Sequence, residues 1–247
     1  MERGAPRRPA GRRTAGLLAI MAATWISCGS GGADDPGPGE PTPAPRTWPA
    51  DTALAVNDRA IPAAEIDRVA AWVALLEPAE VPTSHRRSAL THVVLERAAL
   101  AVAHPEARAE ERRRAEALLA ALEAGEEPDA ESGDLGPHGR RAVAGGTWDD
   151  LGLVAWGEAR EAPLGSWHGP VEDSGRWLLL KPLEHVRGKV PGADLYRIEA
   201  ITLPFVPADL ARPDVEAAID DALLEVVDPA WASIVPAAWR YRMNGPD

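Results

Sequence analysis

The chain changes character at about Glu126, and this change limits the folds that it can adopt. Before it, apolar residues recur at the three- and four-residue spacings of helices that bury one face. Beyond it, glycines and tryptophans separate short apolar runs, a pattern that favours strands joined by turns. Helices followed by strands predict an α+β fold with a small antiparallel sheet.

The part before Glu126 predicts three helices. The first runs from Pro62 to Leu76, after a short strand that begins at Leu54. The second is expected over 83–103 and the third over 105–124, because a proline or glycine follows each apolar stripe. Glutamates and arginines three and four apart on the third helix indicate a solvated face.

The part beyond Glu126 predicts strands between two helices. The run over 176–183 is apolar on both faces, which is typical of a central strand. The shorter run before it, which ends at Val171, favours an edge strand. Gly165 is expected in a turn, and Gly157 allows a break in the first of these helices. The expected ranges are 151–160 for the first helix, an edge strand ending at Val171, a central strand over 176–183, a last strand over 196–205 and a helix over 213–227.

The first 50 residues are not expected to join this fold. Residues 1–27 combine five arginines with a short apolar run, which is typical of an export signal; a membrane span needs about 20 apolar residues. Ser27-Cys28-Gly29 resembles the lipobox of bacterial lipoproteins, which implies lipidation of Cys28. Glycine and proline dominate residues 28–50 and predict a tether.

Charge and composition exclude several classes of protein. The chain has 26 basic and 38 acidic residues and a formal net charge of −12, so nucleic-acid phosphates would be repelled and no nucleic-acid partner is expected. Its single cysteine cannot form a disulfide within the chain. The six histidines show no metal-ligand spacing, so no metal site is expected.

Several segments resemble parvulin-type peptidyl-prolyl isomerases and the related SurA-like and PpiC-like periplasmic chaperones. Ala55-Val-Asn-Asp-Arg-Ala-Ile61, followed by Glu65-Ile-Asp67, is similar to the motif that opens their helical module. Gly133-Asp-Leu-Gly136 resembles the family's glycine-aspartate-leucine-glycine turn, and Asp150-Leu-Gly152 competes for the same role. Residues 164–181 are similar to the family's last two strands. The resemblance covers roughly residues 54–77 and 133–185.

The resemblance implies a helical chaperone-like module over 51–125 and a degenerate parvulin-like domain over 126–243 that ends in a strand and a helix. It implies an exported peptidyl-prolyl cis-trans isomerase, or an isomerase-derived folding factor, in the periplasm or cell envelope. Its expected partners are unfolded or proline-containing polypeptides and, through Cys28, a membrane. A non-catalytic holdase and an envelope assembly lipoprotein remain as alternatives. No cofactor is implied, since rotation about a peptide bond makes no covalent bond.

The resemblance also places the expected site, which departs from the family's pattern. Parvulins pair a histidine on the first strand with one on the last, and Trp177 aligns with the second of these. For the first, His92 lies in an expected helix, and residues 197–203 resemble the first strand moved towards the C-terminus, with Ala200 at the histidine position. Ser174 matches a polar pocket residue and is the expected catalytic group. The expected substrate-binding residues are Leu135, Trp148, Trp156 and Trp177.

Overall fold

The α+β class predicted from the sequence is confirmed by two antiparallel sheets with helices packed around them. The computed structural model describes residues 46–128, 135–206 and 212–243, with the backbone alone at 212–215. Residues from Arg46 onward group into one compact unit. The expected export signal, most of the tether, Cys28 and the Gly133-Asp134 half of the family turn lie outside the described residues.

The helices and strands follow one another in the order that the composition predicts. The helices are α1 (Ala63–Leu76), α2 (Pro82–Ala89), α3 (Leu95–Ala103), α4 (Pro105–Glu123), α5 (Trp148–Leu151), α6 (Leu153–Glu161), α7 (Arg212–Asp220) and α8 (Ala237–Arg240). The strands are β1 (Thr52–Val56), β2 (Arg59–Pro62), β3 (Arg140–Gly146), β4 (His168–Asp173), β5 (Arg176–Val186), β6 (Leu195–Pro204) and β7 (Leu224–Val226).

The helices before Glu126 are confirmed. Pro62 caps α1, and Pro105 begins α4, where a missing N–H costs no hydrogen bond. A π-helical segment, Leu90–Val94, joins α2 to α3, so the second predicted helix is continuous through this segment. His92 lies in it and is exposed, as expected for a histidine on a helix face.

The first sheet has the order β2-β1-β7 and corrects one prediction. The helix expected over 213–227 ends at Asp220, and Leu224–Val226 instead pairs with β1. Leu224 becomes fully buried in this sheet. Tertiary pairing with a buried strand therefore outweighs the helical spacing of the apolar residues. Because β1 precedes Glu126 and β7 follows it, the sheet joins the two parts of the chain.

The second sheet has the order β3-β6-β5-β4. The central position of β5 and the edge position of β4 are confirmed, as is β6. Strand β3 was not expected. Its sequence, Arg-Arg-Ala-Val-Ala-Gly-Gly, has small residues in place of an apolar alternation, and most of its residues are exposed.

The core lies in two clusters, one on each face of this second sheet. Leu178 and Leu180 face the first cluster, with Trp72, Trp156 and the helices α1 and α3. The alternate residues of β5 face the second cluster, under α4. The second cluster consists of Ala115, Leu118, Leu122, Leu135, Trp177, Leu179, Ile201, Leu203 and Phe205. The first contains residues from both sides of Glu126.

Gly157 has a packing role in place of the expected helix break. The chain breaks at Gly152, whose φ is +83°, and α6 continues through Gly157. A Cβ atom at Gly157 would lie 2.3 Å from the Trp72 ring. No real Cβ approaches an aromatic ring this closely, so only glycine lets α6 pack against α1 here.

We expect Gly157→Ala to destabilise the protein, although this change in an exposed helix usually stabilises it by about 1 kcal/mol. The added methyl must displace the Trp72 ring, which typically costs about 1–3 kcal/mol. Chemical denaturation measures the change in the free energy of unfolding. In combination with Trp72→Leu, the cost of Gly157→Ala should become smaller, since the clash is removed. An increase in stability for the single variant would contradict this packing.

Candidate functional site

Trp177 is buried under α4, with 4% of its surface exposed, as expected for a core residue of a central strand. Its indole N–H donates to the Arg108 carbonyl oxygen at 3.0 Å. The guanidinium groups of Arg108 and Arg112 lie 5.2 and 5.6 Å from its ring, within cation–π range. Helix α4 therefore covers the position that aligns with the last family histidine.

The four expected substrate-binding residues do not come together in one pocket. Leu135 and Trp177 lie in the cluster under α4. Trp156 lies in the other cluster, is fully buried, and donates from its indole nitrogen to the Asp194 carbonyl oxygen at 3.0 Å. Trp148 is the first residue of α5 and is 37% exposed.

Ser174 occupies a tight turn between β4 and β5. Ser174 and Gly175 both have positive φ, +31° and +83°, which is the backbone of a two-residue hairpin of type I′. The Ser174 side chain is exposed. Its turn lies at the end of the strands, so the hydroxyl faces solvent at this hairpin tip.

The two positions that align with the family histidines lie on neighbouring strands but on opposite faces of the sheet. Strands β5 and β6 pair antiparallel, with Trp177 opposite Leu203 and Leu180 opposite Ala200. Ala200 packs against the first cluster, whereas Trp177 belongs to the second. Side chains at these two positions point to opposite faces of the sheet, so they cannot form a hydrogen bond with each other.

The outer edge of β3 is the most open part of the second sheet. Among residues 46–128, 135–206 and 212–243, no strand pairs with β3 except β6. Its peptide groups on that side can therefore accept and donate hydrogen bonds to another extended chain. Ala142, Ala144, Gly145 and Gly146 are small, so another backbone can approach closely.

The opposite edge, β4, is protected. Pro170 has no N–H to offer a partner strand. Arg97 donates from Nη1 to the Glu172 carbonyl oxygen at 3.1 Å, which occupies a main-chain acceptor of the same strand. The two edges of one sheet thus differ, and only β3 resembles the edges to which extended polypeptides add.

A shallow depression of about 470 Å³ lies beside β3. Its apolar members Val143, Val186 and Leu195 are 55%, 58% and 43% exposed, and the exposed ion pair between Glu184 and Arg197 also lines it. Apolar side chains exposed in a group, beside an unpaired strand edge, are typical of protein interaction surfaces. We call Val143, Val186 and Leu195 the apolar patch.

A network of buried charges lies between α1, α4, α6 and β4. The Glu172 carboxylate, 7% exposed, accepts two hydrogen bonds from Arg59 and two from Arg108, at 2.8–3.1 Å. Burial alone would raise the pKa of Glu172, but the two arginines together hold it below its usual value. Both carboxylate oxygens are used, so this group ties β2, β4 and α4 together.

Glu158 forms a second centre of this network and is 1% exposed. It accepts from Arg68 at 2.6 Å and lies 2.9 Å from Nε2 of His168. Arg68 also contacts Glu161, which accepts from the Trp72 indole nitrogen at 2.6 Å. All of these carboxylates are paired with cations or an indole, so the arrangement fixes α1 against α6 and β4.

The part of the chain that the structure describes contains neither a group of metal ligands nor a membrane-spanning helix. In residues 46–128, 135–206 and 212–243, no three His, Cys, Asp or Glu side chains are grouped so as to hold a metal ion. Within those same ranges, no helix combines the length and apolar character that crossing a membrane requires. Comparisons with protein-family models, with curated proteins and with solved structures find no match.

Sequence reasoning missed the β3 edge and the apolar patch. Strand β3 has neither alternation nor β-branched residues apart from Val143, so no strand signal exists. Val186 and Leu195 lie just outside the two predicted strands, 176–183 and 196–205, which the structure extends to include them. Only the pairing of β5 with β6 brings these two residues opposite each other.

Proposed function

We propose that the protein is an isomerase-derived folding factor of the parvulin type that binds extended apolar segments of other exported polypeptides without efficient isomerisation. The observation that carries the proposal is the unpaired edge of β3 beside the apolar patch. A client segment adds there as a further strand, its main chain bonded to β3 and its apolar side chains next to Val143, on the face of the sheet that carries the apolar patch.

The order of the strands supports the parvulin-like reading of the sheet. The family's histidine pair requires its first and last strands to be neighbours. Residues 197–203, which resemble that first strand, belong to β6, and β6 pairs with β5 along most of its length. This adjacency supports the proposal that β6 corresponds to the family's first strand.

The same sheet argues against efficient catalysis. Isomerases act by favouring the twisted amide over both planar forms, which needs polar groups set beside an apolar proline pocket. Here Trp177 is buried under α4 and Ala200 packs on the other face. Ser174 lies in an exposed turn. A binding role needs only the β3 edge and the apolar patch, both of which are accessible.

Val143→Lys should weaken client binding by about tenfold, because burial of a valine side chain against a client contributes about 1.5 kcal/mol. Val143 is 55% exposed, so the folded state should tolerate the lysine. The measurement is suppression of aggregation of an unfolded model protein, together with affinity for an apolar strand-forming peptide. Val81→Lys is the matched control, since Val81 is 60% exposed at the start of α2, away from β3.

Equal loss of aggregation suppression and of peptide affinity in both valine variants would show a general effect of charge and would refute a site at β3. Undiminished peptide affinity in Val143→Lys would show that the client binds at a site other than β3. Isomerisation of a proline peptide at the rate of ordinary parvulins would contradict the non-catalytic part of the proposal.

A further inference from the structure

A second cavity, of about 520 Å³, lies between α6 and the connection from β5 to β6. Its volume lies in the range of small-molecule binding sites. Apolar groups of Ala159, Leu164 and Pro191 form part of its wall. The remaining wall includes the cations Arg160, Arg187 and Lys189, the imidazole of His185, and Asp194 as the acidic member. We call it the basic pocket.

Asp194 is already fully used by its neighbours. Its carboxylate is 2.7 Å from Arg160, 3.3 Å from Nε2 of His185, and accepts from the Gly188 N–H at 2.8 Å. Burial alone would raise the pKa of Asp194, but these three groups lower it, so this carboxylate is anionic at neutral pH. It balances Arg160, and its contacts do not include Arg187 or Lys189.

Arg187 and Lys189 therefore contribute unbalanced charge. Both are exposed, and in the part of the chain that the structure describes neither forms an ion pair or a side-chain hydrogen bond. Lys189 is one of only two lysines in a chain whose formal net charge is −12. A cationic pocket on an acidic protein attracts an anionic group while the rest of the surface repels it.

The basic pocket lies around the end of the second sheet from the apolar patch, because His185 and Tyr196 are on the face of the first cluster and Val186 and Leu195 are on the opposite face. Tyr196 lines both the basic pocket and the depression at the apolar patch. The His185 ring stacks on the Tyr196 ring with centroids 4.5 Å apart, which fixes the wall between them. Gly146, at the end of β3, is the residue opposite Tyr196. A chain that leaves the β3 edge at this end and turns around the end of the sheet would meet the basic pocket.

We infer that the basic pocket binds a carboxylate of the client polypeptide, so that clients are apolar segments flanked by an aspartate, a glutamate or a C-terminus. This inference rests on the proposed function. A polypeptide is favoured over an anionic membrane because the strand proposed at β3 ends beside Gly146, which is opposite Tyr196 of the basic pocket. The carboxylate is also the anion that a polypeptide already carries.

The test uses two amidated apolar peptides that differ only in one flanking residue, aspartate in one and asparagine in the other. The protein should prefer the aspartate peptide by about fivefold, as for about 1 kcal/mol from two exposed cations, and salt should reduce the preference. Arg187→Gln combined with Lys189→Gln should abolish the preference and leave affinity for the asparagine peptide unchanged. Arg46→Gln combined with Arg113→Gln removes equal charge from exposed sites elsewhere and should keep the preference.

Equal affinity for the two peptides in the unmodified protein, or a preference that survives in the Arg187 and Lys189 variant, would overturn the inference while leaving the proposed function intact. Failure to bind either peptide would refute both. Phosphatidylglycerol vesicles form the remaining arm: binding to them that depends on Arg187 and Lys189, without any peptide preference, would assign the basic pocket to lipid phosphates and overturn the inference.

Discussion

Trp177→Ala should lower the melting temperature by about 10 °C or more, because loss of a buried tryptophan typically costs 3–5 kcal/mol. The ring packs on Phe205, with centroids 6.3 Å apart, and lies beneath two guanidinium groups of α4. Its N–H also holds the Arg108 carbonyl oxygen. The substitution leaves a cavity in the second cluster and removes the hydrogen bond, so α4 packs less tightly on the sheet.

The matched control is Trp148→Ala. Trp148 is 37% exposed, and its replacement should change the melting temperature by a few degrees at most. Thermal unfolding followed by circular dichroism compares the two variants directly. A melting temperature for Trp177→Ala as close to the parent as that of Trp148→Ala would show that Trp177 is not a core residue.

Glu172→Ala is expected to lower the free energy of unfolding about as much as Trp177→Ala does. Removal of one partner from a buried ion pair typically costs about 3–5 kcal/mol, because the remaining charge is left without compensation. Arg59 and Arg108 are 19% and 26% exposed, so both guanidinium groups would lose their carboxylate while still largely desolvated. The free energy of unfolding from chemical denaturation measures this cost. Glu116→Ala, at an exposed ion pair on α4, is the control and should cost less than about 1 kcal/mol.

The contribution of Glu172 should also depend on pH. Because its pKa is lower in the folded protein than in the unfolded chain, the charged form stabilises the fold above the unfolded value of about 4.3. This stabilisation is lost as the pH falls through the folded pKa. The stability difference between the protein and Glu172→Gln should therefore shrink on acidification from pH 7. A difference that stays constant would show that Glu172 is not held charged by its arginines.

Much of the helical half could be predicted because its signals are local. Prolines at the starts of α1 and α4 fix where these helices begin, and the apolar stripes follow the helical period. Strand β5 was equally clear, since an apolar run on both faces requires cover on both sides, which α4 and α6 supply. These elements depend on their own residues more than on distant partners.

The errors concern elements that depend on distant partners. Leu224–Val226 continues a helical stripe in the sequence but becomes a strand because β1, far earlier in the chain, offers an unpaired edge. Gly157 suggests a break locally, yet its role is set by Trp72 on another helix. Trp177 and Ala200, which the resemblance places at the family's histidine positions, lie on adjacent strands, but only the register shows that they point to opposite faces.

Hydrogen exchange of the β3 amides tests the central claim most directly. We expect an apolar strand-forming peptide at saturation to slow exchange across Arg140–Gly146, since a strand added at this edge bonds amides that are now open. Val143→Lys should lose this protection, whereas Val81→Lys should keep it. Peptide binding that leaves β3 exchange unchanged and protects α4 or the Ser174 turn instead would contradict polypeptide capture at the β3 edge.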